Sequence, residues 1–112
     1  MHIDTKQPDW SEQIALFSTE NLGRPTRLGV FEPLNYGLND YWIEDGLQLN
    51  GIDLDSDSGE TTVTIHLDGY TYTIPSAKRI NLHYSVDARD DGIDVVDSNG
   101  RTSILRFESE SA

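Results

Sequence analysis

Thr61-Thr62-Val63-Thr64-Ile65-His66-Leu67-Asp68-Gly69-Tyr70-Thr71-Tyr72-Thr73-Ile74 decides how this chain folds. Val63, Ile65 and Leu67 alternate with Thr62, Thr64 and His66, then Tyr70, Tyr72 and Ile74 alternate with Thr71 and Thr73. Alternation of this kind marks two half-buried strands, and the intervening Asp68-Gly69 predicts a two-residue hairpin loop of type I′. That loop places Leu67 opposite Tyr70, Ile65 opposite Tyr72 and Val63 opposite Ile74, so the apolar residues share one face. A face of this kind needs a cover.

Towards the N-terminus, Trp10, Ile14 and Phe17 are spaced by four and three residues, with Leu16 widening the stripe. Asp9 and Glu12 match a capping box, and Gly23 followed by Pro25 ends the pattern, which predicts an amphipathic helix over Asp9 to Leu22. Thr26 to Glu32 reads as a strand with Leu28 and Val30 on one side and Arg27 and Phe31 on the other. Leu34 to Ile43 mixes turn residues with large apolar ones and is read as a loop. Leu47 and Leu49 resume a strand, but Ile52 and Leu54 fall out of phase with them, which places a bulge at Gly51. Asp55 to Glu60 is read as an exposed polar turn.

Towards the C-terminus, Ile80, Leu82, Tyr84 and Val86 form a strand after the break at Pro75, and Asp87 to Gly92 a polar turn. Ile93 to Asp97 and Thr102 to Glu108 flank Ser98-Asn99-Gly100-Arg101, whose Asn-Gly pair is a hairpin signal. Ile104 points away from Leu105 and Phe107, so this last strand is apolar on both faces and belongs in the interior of a sheet. The sum is α+β: an N-terminal helix packed on a strongly curved, mostly antiparallel sheet of about six strands, or a small partly open barrel. One domain over residues 1–112 is expected, with 1–7 and 109–112 frayed.

Composition narrows the function classes. Asp and Glu number 20 against 8 Lys and Arg, a formal charge of −12. Binding to a nucleic-acid duplex or an anionic membrane needs a basic face, so neither is expected. Asp outnumbers Glu and lysine is confined to Lys6 and Lys78, a bias that also suits a salt-rich cytoplasm. Cysteine is absent, which removes disulfides and thiolate chemistry, and no stretch reads as a signal peptide or membrane span. A cytoplasmic protein is the expectation.

The string Leu47-Gln48-Leu49-Asn50-Gly51-Ile52-Asp53-Leu54, the Ile74-Pro75 step with Ile80, and Asp97-Ser98-Asn99-Gly100 followed by Ile104-Leu105-Arg106-Phe107 resemble a small bacterial family of unknown function. The helix with Trp10 and Phe17 and the strand Leu28-Gly29-Val30-Phe31-Glu32 are similar to its opening. The resemblance implies one domain over most of the chain and brings no activity, cofactor or catalytic residue.

No catalytic or phosphate-binding motif is present, and no cofactor is expected. Asp53, Asp55 and Asp57 have the 1, 3, 5 spacing of a calcium loop, but the glycine comes one place late and Thr64 stands where a bidentate Glu belongs. They remain weak metal candidates beside the preferred reading as a solvated turn. His66 and His83 point to polar faces and meet only if their strands are neighbours. Arg24, Arg27, Lys78 and Arg79 are candidates for a small basic spot. Tyr36, Tyr41 and Trp42, with Asn and Gly around them, are the partner-binding candidates, because aromatics give large contact area at low entropic cost. The competing reading puts Tyr41, Trp42 and Ile43 in a strand that fills the core.

The expected function is a small non-enzymatic binding or adaptor module that contacts a protein partner or its own copy. The alternatives are a ligand carrier or enzyme with a pocket inside the curved sheet, and an acidic mimic of nucleic acid that inhibits a basic protein.

Overall fold

The alternating stretch forms the hairpin its pattern dictates, with Val63 paired to Ile74, Ile65 to Tyr72 and Leu67 to Tyr70. A computed structural model describes residues 10–34, 37–57, 59–84 and 90–108. They form α1 (Trp10–Glu20), β1 (Pro25–Leu34), β2 (Gly37–Asp57), β3 (Glu60–Leu67), β4 (Tyr70–Ile74), β5 (Ala77–Tyr84), β6 (Asp90–Asp97) and β7 (Thr102–Phe107). The strands make one sheet in the order β4-β3-β2-β1-β7-β6-β5, every neighbouring pair antiparallel. The fold is α+β, with seven strands among the described residues where the sequence suggested about six.

The sheet curls into a half-barrel. Tyr72 on β4 and Ser103 on β7 have three strands between them in the sheet, yet their hydroxyls lie 3.0 Å from each other across the concave side. Long β2 supplies much of the bend. Ile43, Gly46 and Asn50 have no partner in its register with β1 and β3, so it carries three bulges where the phase shift near Gly51 suggested one. After Pro75 the chain turns sharply at Ser76, which holds a φ of 55°. Ser98 N–H donates to Ser76 O (3.0 Å) and Ser76 Oγ donates to Glu60 Oε1 (3.0 Å), fixing that corner.

The concave side is the core. Leu28, Leu49, Val63, Ile65, Ile93, Val95 and Leu105 are all but sealed from solvent, and α1 lays Trp10, Ile14 and Phe17 onto them as one cluster. The helix packs against β2, and its stripe and the hairpin's apolar face belong to one buried cluster, at a gain on the order of 1.5–3 kcal/mol for each large side chain fully buried. Two polar contacts fix its seat. Ser18 Oγ accepts the Ile52 N–H (3.0 Å) beside the β2 bulge, and Asn21 Nδ2 donates to Phe17 O (2.7 Å) and Asp90 Oδ2 (2.8 Å). Arg24 Nη1 then donates to Asn21 Oδ1 (2.7 Å) and to Asp90 O (3.0 Å), tying the end of the helix to β6.

Several boundaries differ from the sequence reading. The helix stops at Glu20 and leads through a turn to Gly23, which takes the left-handed conformation (φ 85°); Asp9 of the expected capping box lies outside the described residues. The stretch expected as a loop from Leu34 to Ile43 is strand on both sides of residues 35–36, because pairing with β1 satisfies its backbone despite its turn-rich composition. The expected turn at Asp55 to Glu60 is shorter, since Asp55 to Asp57 pair with Glu60 to Thr62. Neither hairpin turn has type I′ geometry. At Asp68-Gly69 the positive φ falls on Gly69 (81°) alone, since left-handed geometry is costly for Asp. Between Asp97 and Thr102 the loop is four residues long. Gly100 N–H donates to Asp97 O (3.1 Å), Gly100 takes φ 85°, and the Asp97 carboxylate accepts the N–H groups of Asn99 and Arg101, a capping contact that an Asn-Gly rule does not foresee. Residues 1–7, 85–89 and 109–112, with the expectations placed on them, lie outside the described residues.

Candidate functional site

Strand alternation sends every second side chain of β1, β2, β6 and β7 to the convex face, away from α1. On β1 these are Arg27, Gly29 and Phe31; on β7, Thr102, Ile104 and Arg106. Trp42 pairs with Gly29, and Gly29 pairs with Ile104, so Trp42 and Ile104 flank a position that has no side chain. The indole lies over that gap, with Cε3 2.7 Å from where a Gly29 Cβ would be. A cleft of about 170 Å³ opens here, with Gly29, Phe31, Trp42 and Ile104 among its walls. Phe31 and Trp42 keep 43% and 48% of their surface exposed on this rigid sheet.

Beside the cleft is a charged strip. The Arg27 guanidinium stacks on the Trp42 ring at 4.3 Å, and its Nε is 3.5 Å from Asp45 Oδ2. Arg27 is directly opposite Arg106, an arrangement of like charges that costs free energy unless each is compensated. Arg106 Nη1 donates to Asp94 Oδ1 (2.8 Å), and His83 Nε2 is 2.7 Å from Asp94 Oδ2. Asp45, Arg27, Arg106, Asp94 and His83 thus form a row across five strands. Arg27, Trp42, Asp45, Arg106 and Glu108 line a cavity of about 580 Å³ at its centre. A hydrogen bond with Asp45, then desolvation, then the Asp45 charge raise the Glu108 pKa above its ordinary value, with Arg27 pulling the other way.

Of the partner-binding candidates, Tyr41 and Trp42 both line the cleft, but their side chains leave β2 on opposite faces. Trp42 is on the convex face; Tyr41 pairs with Val30, on the opposite face of β2, and its hydroxyl reaches Glu32 Oε2 at 3.4 Å. Glu32 also holds Arg101, whose pKa burial lowers while the Glu32 charge and hydrogen bond, together with Tyr72 and Tyr41, raise it to a net upward shift. Tyr36 lies outside the described residues. Tyr41 and Trp42 do belong to a strand, as the competing reading had it, but both stay about half exposed, and it is Ile43 that packs on the core.

Asp53 and Asp55 sit on extended strand and point outward; the described residues hold no group of three or more potential metal ligands. Asp53 Oδ2 is 2.8 Å from His66 Nε2, and the side chain of Asp57 lies outside the described residues. His66 on β3 and His83 on β5 each have their own aspartate and do not meet. Arg24, Arg27, Lys78 and Arg79 form no common spot, because β7 and β6 stand between β1 and β5. Arg24 packs over Phe107 at 4.2 Å instead.

Phe31, Ile104, Arg106, Asp45 and Glu108 were not singled out by sequence. Phe31 and Ile104 left a local signal, each being apolar on the face opposite to the main alternation. Arg27 and Arg106 left none, since 79 residues separate them and only the β1–β7 register joins them. Comparison with family models, with curated proteins and with solved structures finds no match for this chain.

Proposed function

We propose that the chain is a small non-enzymatic binding module whose convex face, centred on Trp42, docks a protein partner. The observation that carries this reading is that Phe31 and Trp42, both large and about half exposed, line one cleft on a sheet backed by a buried core. Exposed aromatics on a preformed surface lose little freedom on binding, which is why they dominate interface energetics. No helix among the described residues is long and apolar enough to cross a membrane.

The other readings have less support. A pocket inside the curved sheet would need space that α1 and the core side chains occupy. An acidic mimic would need its carboxylates free and arrayed on one face; here Asp45, Asp53 and Asp94 are engaged by Arg27, His66 and Arg106.

The test is affinity capture from the native host in parallel with sedimentation, using wild type and Trp42→Ala. The reading expects a captured protein, or a self-association, that Trp42→Ala loses while its amide spectrum remains folded. An unchanged capture profile and an unchanged sedimentation coefficient contradict it.

A further inference from the structure

The two arginines that face each other on the convex side are each compensated from outside. Asp45 lies on β2, beyond Arg27, and Asp94 lies on β6, beyond Arg106. Both guanidinium groups line the same cavity of about 580 Å³. Arg27 Nε is removed from solvent and makes no hydrogen bond among the described residues; it lies 3.5 Å from Asp45 Oδ2. Glu108 is also a wall of the cavity, and its carboxyl is held by Asp45. Trp42 is a wall of this cavity and of the adjoining cleft, whose other walls include the apolar Phe31 and Ile104.

We propose that this site captures the C-terminal residue of a partner polypeptide, its carboxylate between Arg27 and Arg106 and its apolar side chain in the cleft beside Trp42. This inference rests on the binding role proposed above and specifies the chemistry of the partner. A guanidinium recognises a carboxylate through paired, charge-assisted hydrogen bonds, and two of them facing one seat suit a single carboxylate. The cleft, about 170 Å³, is below the size of a site for a drug-sized ligand and suits one side chain. The charge of the chain decides the source. With a net charge of −12, its surface repels a multiply acidic peptide, whereas a chain terminus brings one carboxylate joined directly to an apolar group.

The probe is the tripeptide acetyl-Gly-Ala-Leu with a free C-terminus, followed by NMR shifts of the Trp42 indole N–H and the Arg27 Nε–H. The controls are the same peptide amidated and 4-methylpentanoate, which carries the side chain and carboxylate without a peptide backbone. Expected are saturable shifts with the free acid, about tenfold or more weaker binding of the amide and of 4-methylpentanoate, and a similar loss in Arg27→Gln. Arg106→Gln strips Asp94 of a partner, and Arg27→Gln strips Asp45 of one and unstacks Trp42, so each is checked for an unchanged amide spectrum and the comparison of acid with amide on the wild type carries the test. Equal binding of acid and amide, equal binding of peptide and 4-methylpentanoate, or no saturable shift each overturn the inference. Should the peptide fail while Trp42→Ala still abolishes capture of a partner, the binding role stands and this inference falls; loss of neither would sink both.

Discussion

Trp42 rests on Gly29: a Cβ at that glycine would sit 2.7 Å from indole Cε3 and 3.1 Å from the Tyr41 carbonyl oxygen. The ring lies low over the convex face because its cross-strand partner has no side chain, and from above the Arg27 guanidinium stacks on it at 4.3 Å. Removing either support frees the ring.

Gly29→Ala therefore lifts the indole. Overpacking of this kind costs on the order of 1–3 kcal/mol. Urea denaturation is expected to show that loss, and Trp42 emission is expected to shift towards that of a fully solvated indole.

Gly92→Ala is the harsher change. Its Cβ would come 2.2 Å from the carbonyl oxygen of Leu105, which is backbone and cannot rotate away, and 3.0 Å from the Arg106 side chain. β6 and β7 must part to admit it. A loss of about 3 kcal/mol or more is expected, at the top of the usual range for overpacking, along with loss of the Arg106–Asp94 hydrogen bond. A stability equal to wild type would contradict the β6–β7 register.

Ser18→Ala strands a donor. The Ile52 N–H sits next to a bulge in β2 and is satisfied by Ser18 Oγ at 3.0 Å. A buried N–H left without an acceptor costs about 1–3 kcal/mol. Faster amide exchange at Ile52, with the remaining β2–β3 amides still protected, is the expected local signature.

The Glu108–Asp45 contact makes stability depend on pH. The folded-state pKa of Glu108 is raised above its ordinary value of 4.5, so the folded state holds the proton more tightly than the unfolded chain does. That contribution is complete below the ordinary value and is lost as pH rises through the raised one. Glu108→Gln removes the titration. Its stability relative to wild type is expected to rise with pH upward from about 4.5 and to be flat below; the opposite slope would contradict the contact.

How much of this was legible in the sequence depends on how far each contact reaches along the chain. Val63 to Ile74 gave its register directly, because one two-residue loop fixes every pair in that hairpin. The stripe of Trp10, Ile14 and Phe17 identified α1 and its buried face for the same local reason. Leu34 to Ile43 misled, because Asn and Gly residues read as turn while its hydrogen bonds come from β1. On the convex face, Trp42 was visible as a large aromatic in a polar setting. Its neighbours Ile104 and Arg106 arrive from the far end of the chain through the β1–β7 pairing, which no local pattern encodes.

The most direct measurement is site-specific photo-crosslinking in the native host, with a photoreactive phenylalanine analogue placed in turn at Trp42, Phe31 and Leu16, the last being exposed on α1. Covalent adducts at Trp42 and Phe31, with none at Leu16, are the expected result. Adducts at Leu16 with none at Trp42 would contradict a docking surface on the convex face.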